Sequence, residues 1–591
     1  MSRDPHRRNP GGEGRLPPPP PPRWEVAPAP EPEEVRVLED RLSLPRSLCA
    51  LLAIRGLGDP DRAKAFLRPV LDALHPPDAM TDLSRAVERM ATAVQKGETI
   101  FVHGDYDVDG MAGTALLTRW LRDLGATVVP FIPNRLRDGY DLGPSGVQAA
   151  RAAGASVLVT VDCGILAHEA VASAVESGMD VIVTDHHTPG DTLPKALAVL
   201  NPNRRDCSYP NRDLCGAGVA FKLCQGLAEV FHRGAEELHP YLDLVGMATV
   251  ADLVPLRGEN RTLVRFGLRA LERTRNPGLK ALLRVSGLEG REVTAGAVGF
   301  VLAPRLNAIG RLGDPHTALR LLLTHDGKEA EVLAQEADAL NRERQAADRS
   351  TLEEAISRLA MDFDPRRDYG VVLAGEGWHP GVIGIVASRL VEQIHRPTIL
   401  VAMDGDRGRG SARSIPGFHI LRAMEAGGGH LERFGGHKQA AGLDILREEL
   451  PAFRQIFNGE ARRLLAHEDL RPLLKVDLEV RLEDLTQDLF KFLKYMGPHG
   501  MANPRPLFLA RGVRLAGRPR VAGKDHLKLQ IHQDGSALDA IGFGLAGRIP
   551  ANSLDGKSLD VVFQLQENEY RGRRSLQAGL KDVRVRDGAP R

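Results

Sequence analysis

Between residues 96 and 325, short runs of apolar residues alternate with longer segments whose apolar positions recur at helical spacing. The short runs are 100–102, 128–132, 157–161, 181–184 and 198–200, and the helical patterns include 114–124 and 167–177. Runs that are apolar throughout, with helices between them, predict a parallel sheet covered on both faces. Such a sheet takes ligands at the carboxyl ends of its strands. The polar residues fall there: His103 to Asp109 after the first run, Asp162 after the third, Asp185-His186-His187 after the fourth. Asp252 closes a further apolar run, 244–251.

In His103-Gly-Asp105-Tyr-Asp107-Val-Asp109-Gly110, one imidazole and three carboxylates occupy alternate positions. If the strand continues through them they share a face, and that many like charges repel unless a cation lies among them. Asp109 precedes a run suited to a helix and reads as its cap. A single Asp after a strand is usually a cap or turn residue; four strand or helix ends delivering Asp and His to one rim call for a metal. His103, Asp105, Asp107, Asp162, His186 and Asp252 suffice for two hard ions, Mn²⁺ or Mg²⁺, about 3.5–4 Å apart. Asp162 is the expected bridge. His187 suits a proton donor or a contact to a scissile phosphate, and Asp185 a group orienting an imidazole.

The remaining patterns divide the chain. Residues 1–35 hold a six-proline run and Ala-Pro repeats, a composition expected to stay disordered. Residues 36–95 read as a helical lead-in and 96–325 as the catalytic domain. Residues 326–365 read as a connector, carried by one helix over 330–359 without Gly or Pro. A second lobe follows at 366–465, with a cleft between lobes as the expected substrate site. In it Trp378-His379-Pro-Gly, Gly410-Ser411-Ala-Arg413 and Gly435-Gly436-His437 set glycines beside basic or polar groups, as anion sites do. Residues 470–585 read as short strands forming a small barrel. Its basic residues Arg511, Arg514, Arg518, Arg520, Lys524, Lys528, Arg571, Arg573 and Arg574, with Tyr570, suit a single-strand groove, although a charge run is usually a solvated face.

Composition adds limits. The 591 residues allow about three to four domains. With 78 Lys and Arg against 77 Asp and Glu the net charge is +1, so any surface for a polyanion must be local. Five cysteines without a CxxC pair argue against a zinc site or a disulfide framework and fit a reducing, cytoplasmic setting. Nowhere is there the run of about 18 apolar residues that a membrane span needs.

Asp185-His186-His187, with the His103 to Gly110 segment, resembles the DHH phosphoesterase superfamily, and the longer wording is similar to the RecJ single-strand DNA exonucleases. Arg305-Leu-Asn307-Ala-Ile-Gly310-Arg311 resembles the segment closing the first domain of that family, and Met496 to Phe508 part of its oligonucleotide-binding domain. The resemblance implies an α/β architecture: a parallel-sheet DHH domain, a long connecting helix, a second α/β DHH-associated domain and a C-terminal OB-like β-barrel. It implies two-metal hydrolysis of single-stranded DNA from the 5′ end into mononucleotides, in repair and recombination. Asp162, His187 and Asp185 would be catalytic. Arg305, Asn307, Arg311, His379, Ser411, Arg413, Gly435, Gly436 and His437 would hold the strand. The implied partners are a single-strand-binding protein and a RecQ-type helicase, with the chain itself a monomer off the membrane. The rivals are a DHH enzyme for short RNA oligomers or cyclic dinucleotides, which would lack the barrel, and a non-catalytic DNA-binding protein.

Overall fold

A computed structural model describes residues 16–134, 137–570 and 572–586. Residues 1–15 of the expected tail and Arg571 lie outside them. Two compact units emerge. One holds Asp59–Arg342 with Lys491–Arg505; the other gathers the described residues up to Gly58, Glu343–Phe490 and those from Pro506 onward.

The tail differs from expectation. Residues Arg23–Val26 form a strand (β1), and Pro32–Leu42 a helix with Pro at its first turn. β1 is ordered by a partner that composition does not reveal, a distant strand described below.

In the first unit a five-stranded sheet contains Thr99–Gly104 (β2), Thr127–Phe131 (β3), Val157–Val161 (β4), Asp180–Thr184 (β5) and Ala198–Leu200 (β6). All pairings are parallel, in the order β3-β2-β4-β5-β6. Val102, Val159 and Ile182 pack into the core on one face of the sheet, and Phe101, Leu158 and Val181 into the core on the other. The expected doubly covered sheet is thus present. Its strand order reverses between β2 and β4, the topological switch point where such sheets take ligands.

The helix after β2 spans Val108–Asp123 (α1), six residues earlier than its apolar pattern, because Asp107 accepts the amides of Asp109 (2.8 Å) and Gly110 (3.2 Å). Asp107 is therefore the cap, not Asp109. Further helices are Gly216–Val230 (α2), Leu242–Ala251 (α3) and Ala303–Leu312 (α4), and a 36-residue helix, Gly327–Asp362 (α5), is the expected connector. Residues 491–505, read with the barrel from sequence, belong to this first unit. Buried Arg261 donates to the carbonyls of Tyr495 (2.8 Å) and Gly497 (2.6 Å), and Leu256 N to Met501 O (2.8 Å).

In the second unit Val371–Glu376 (β7), Thr398–Asp404 (β8), Arg407–Arg413 (β9), Arg433–Gly436 (β10) and Ala440–Leu446 (β11) form a sheet ordered β10-β11-β9-β8-β7, with Ile383–Ile394 (α6) after β7. Only β7 and β8 are parallel. Leu473–Val476 (β12) pairs in parallel with β1 and is the partner that orders it. The remaining strands are Leu478–Glu479 (β13), Phe508–Leu515 (β14), Arg520–Ala522 (β15), His526–Gln533 (β16), Ser536–Gly542 (β17), Leu559–Tyr570 (β18) and Arg573–Val585 (β19). The pairings β14–β18, β18–β19, β19–β17, β17–β16 and β16–β14 return to their start. That closed ring of five is the expected barrel, with β13 and β15 added at its rims.

Candidate metal centre

Each strand end contributes backbone order first. Asp105 N donates to Val161 O, Asp162 N to Thr184 O and Asp185 N to Leu200 O, so each acidic residue leaves its strand while still tied to the next one. Asp162 turns immediately, with φ at +65°, a conformation rare for a side-chain-bearing residue and common at functional sites. It is buried against α2, where a Cβ on Gly216 would lie 2.4 Å from the Cβ of Asp162, so only glycine fits there.

Among the described residues, three groups bring ligand atoms within 4.8 Å of one another: Asp105, Asp107 and Asp162; Asp162, His186 and His187; and Asp109, His186 and Asp252. Asp162 and His186 are each shared by two groups. His186 Nε2 lies 3.1 Å from Asp162, 3.6 Å from Asp252 and 3.8 Å from Asp109. Asp162 Oδ1 and His186 Nε2 are buried and make no hydrogen bond among the described residues. Burial and the neighbouring carboxylates raise the pKa of Asp162 well above the ordinary range, burial and Asp109 raise Asp107, and the same causes push Asp252 up to about 8. Hard oxygen ligands and a neutral imidazole converging in this way fit Mn²⁺ or Mg²⁺.

One expectation changes. Asp109, read as a cap, is 1% exposed and belongs to a ligand group; its carboxylate also accepts the amides of Gly216 (2.6 Å) and Ala217 (2.8 Å) at the start of α2. His103, next to last in β2, joins none of these three groups, yet its Nε2 is buried and makes no hydrogen bond among the described residues, as is true of Asp162 Oδ1 and His186 Nε2. The His103 ring packs 5.4 Å from Phe131, its Nδ1 3.6 Å from Cys163 Sγ, and burial lowers its pKa to about 4.

Asp185 lies against both histidines. Its Oδ1 accepts the amides of His186 (2.7 Å) and His187 (3.0 Å) and lies 2.8 Å from His187 Nδ1, while Oδ2 accepts Ile165 N. Burial would raise Asp185 and lower His187, but their mutual hydrogen bond prevails. It holds Asp185 below the usual carboxylate range and raises His187 to about 9. Tyr140, which sequence reading passed over, places its hydroxyl 3.4 Å from the His187 ring nitrogens.

The residues expected to hold substrate divide. Arg305 is tied to Asp338 (2.9 Å) and Val301 O (2.6 Å), so its guanidinium braces α4 against α5. Asn307 accepts Val108 N at 3.2 Å and steadies the start of α1. Arg311, half-buried, ends the same helix. In the second unit Arg413 donates to Ser411 Oγ (3.0 Å), and a Cβ on Gly384, at the start of α6, would meet that guanidinium at 2.7 Å. His379 Nδ1 accepts Gly381 N (3.0 Å). Gly435, Gly436 and His437 are exposed. On the barrel, Arg511 is engaged by Glu479 and Asp560, and Arg574 by Glu567 and Glu569. Arg520, Lys524 and Lys528 are exposed, with Arg520 directly across from Lys528.

Comparison with known proteins agrees with this layout. Residues 99–249 match the DHH family N-terminal domain, 368–463 the DHHA1 domain and 476–582 the RecJ OB domain. The single-stranded-DNA-specific exonuclease RecJ of Bacillus subtilis (strain 168) is 37% identical over 566 residues, covering 95% of this chain and 71% of the relative. That of Escherichia coli (strain K12) is 38% identical over 562 residues, covering 91% and 96%. The crystal structure of RecJ in complex with Mn²⁺ from Thermus thermophilus superposes with a TM-score of 0.81 at 34% identity, covering 96% of this chain and 80% of that one. The chain belongs to the RecJ family of single-stranded-DNA-specific exonucleases.

Proposed function

We propose that the chain hydrolyses single-stranded DNA from its 5′ end, releasing 5′-mononucleotides, with two Mn²⁺ or Mg²⁺ ions. The observation that carries the metal-dependent chemistry is the overlap of the ligand groups at Asp162 and His186, a set of side chains that would hold a pair of cations; the 5′ polarity is what the family membership supports. His103, Asp105, Asp107, Asp162, His186 and Asp252 are the proposed ligands, joined by Asp109. When bound, such ions act as Lewis acids on the phosphodiester and supply an activated water at neutral pH. The chain does the rest. Asp185 holds His187 at Nδ1 and raises the pKa of its imidazole, which favours a proton on Nε2 for donation to the scissile phosphate or its leaving oxygen. Arg311, Ser411, Arg413 and His437 hold the strand end, and the barrel binds the strand further along.

The enzyme serves DNA repair and recombination, acting as a monomer beside a single-strand-binding protein and a RecQ-type helicase. All five cysteines are free and buried, and no described helix is long and apolar enough to cross a membrane; a cytoplasmic setting suits both.

The test is a Mn²⁺-dependent nuclease assay on single strands labelled at either end, comparing the parent with Asp162→Ala. Release from the 5′ end alone, reduced by about 1,000-fold or more in the variant, is expected. Cleavage limited to short oligomers would move the chain to the small-substrate branch of the superfamily. Binding without turnover would make it a non-catalytic DNA-binding protein.

A further inference from the structure

The two histidines sit on a turn whose backbone is held from both sides. On one side is Asp185, accepting both histidine amides. On the other are two carboxamides just beyond β6. Asn203 Nδ2 donates to His186 O (2.6 Å) and Asn201 Nδ2 to His187 O (2.9 Å). The pair is also linked internally, since Asn201 Oδ1 accepts Asn203 N (2.7 Å), and Asn201 is completely buried.

The segment carrying them is itself anchored. Arg204 donates to Val199 O (2.5 Å) and to Asp82 (2.6 Å), and Asp82 accepts Val199 N (3.2 Å). The asparagines therefore reach the histidines from a fixed base. Their residue type fits the task. Each must donate to a carbonyl, which a carboxylate cannot do, and a charged substitute would add to the repulsion among Asp105, Asp107, Asp109, Asp162 and Asp252. A buried carbonyl left without its donor would reorient toward another partner.

We infer that Asn203 and Asn201 are positioning residues with separate tasks: Asn203 fixes the peptide that aims His186 at the metal, and Asn201 the one that aims His187 at the scissile phosphate. The division follows from which peptide each holds. His186 O lies between the two histidines, so Asn203 governs the carboxyl side of His186 and the amino side of His187. His187 O lies beyond both, so Asn201 governs His187 alone. The inference rests on the reading of His186 as a metal ligand and His187 as a substrate-facing group.

The experiment uses the full chain with four variants: Asn203→Ala, Asn201→Ser, His186→Ala and His187→Ala. The serine at 201 keeps an oxygen able to accept Asn203 N while losing the reach to His187 O. Mn²⁺ affinity is read by calorimetric titration, kcat and KM on a single-stranded oligonucleotide, and folding by thermal melting. Asn203→Ala is expected to weaken Mn²⁺ binding about 10- to 100-fold, as loss of a group supporting a ligand does, and to lower kcat as well, because the peptide it holds also leads into His187. Asn201→Ser is expected to lower kcat about 10-fold with KM and Mn²⁺ affinity unchanged, a milder form of the His187→Ala effect. Should Asn203→Ala fail to fold, Asn203→Ser is read in its place, with the same expectation.

If His186→Ala leaves Mn²⁺ affinity intact, the reading of the site fails, whatever the asparagines do. If His186→Ala weakens Mn²⁺ binding while both Asn203 variants bind it as the parent does, the inference is overturned. Equal losses of Mn²⁺ affinity and kcat in the Asn201 and Asn203 variants would also overturn it, since purely structural roles would not separate the two readouts.

Discussion

The metal centre and the basic barrel surface handle charge in opposite ways. At the centre Asp105, Asp109, Asp162 and Asp185 are almost fully buried, and backbone amides fix Asp107, Asp109 and Asp185. On the barrel Arg520, Lys524 and Lys528 are exposed, and the like charges of Arg520 and Lys528 stand opposite each other across two strands. Both arrangements oppose folding in the absence of a ligand, one through desolvation and the other through repulsion. The first suits ions that must be held to within a fraction of an ångström. The second suits a flexible polyanion of which only the charge is read.

The acidic half of that contrast breaks most severely at Asp109. Asp109→Asn keeps the shape and an acceptor toward α2 but removes a carboxylate facing His186. Mn²⁺-dependent turnover is expected to fall about 100-fold or more, with a higher Mn²⁺ requirement, in a metal titration of the nuclease rate. Parental turnover would leave Asp109 with only its structural contact to the amides of Gly216 and Ala217.

On the basic half, replacing Arg520, Lys524 and Lys528 together by Ala should raise the Kd for a long single strand about 10-fold. The slope of log Kd against log salt should fall by about 2, near 0.7 per lost phosphate contact. Cleavage of dinucleotides should be unchanged. An unaltered salt slope would make these residues an ordinary solvated face.

A pH series sharpens the acidic half by a smaller margin. Asp252 titrates near 8 in the fold, and Asp162 and Asp107 are also raised, so between about pH 4 and 8 the metal-free native state holds protons that the unfolded chain has released. These carboxylates make stability fall as pH rises through that window, opposed below about pH 6.5 by buried His103, whose lowered pKa acts in the other direction. His187, raised to about 9, acts in the same direction as the carboxylates, because its contribution is complete below pH 6.5 and lost as pH passes 9. The metal-free melting temperature should drop by several degrees from pH 5 to 8.5, and Mn²⁺ should restore more of it at pH 8.5 than at pH 5. A melting temperature flat across this range would mean that the carboxylates are already charged without metal.

How much of this was legible in the sequence follows from how local each cause is. The sheet, the connector and the strand-end carboxylates show in patterns a few residues long. Asp109 escaped because what distinguishes it from a cap is its contact with Gly216 and Ala217, more than a hundred residues away. The partner of Arg305 was hidden for the same reason: Asp338 lies on the next long helix, and no local pattern shows that this guanidinium is engaged there. Asn201 and Asn203 carry no pattern at all, because donation to a backbone carbonyl leaves no trace in spacing.

The N-terminal segment was lost to composition. Prolines suggest disorder, yet they also stiffen the unfolded chain, so that ordering the segment costs less entropy and a modest set of contacts suffices. Those contacts exist. Leu16 packs on the cluster of Leu359, Val371 and Ile394; Arg471 donates to Pro21 O (3.0 Å) and Arg584 to Pro22 O (2.6 Å). Trp24 donates through Nε1 to buried Asp582 (2.8 Å) beneath the Arg584 guanidinium, 3.9 Å from its ring, while β1 pairs with β12. Segment 16–26 thus ties the second-unit sheet to the barrel within one compact unit. Trp24→Ala should cost about 1–3 kcal/mol and lower the melting temperature by a few degrees, with faster hydrogen exchange along β12 and β19. Mn²⁺ affinity and dinucleotide cleavage should stay as in the parent, because none of the ligand groups among the described residues draws on this unit. Unchanged melting and exchange would mean that the segment lies on the barrel without holding it, and that the composition had been the better guide.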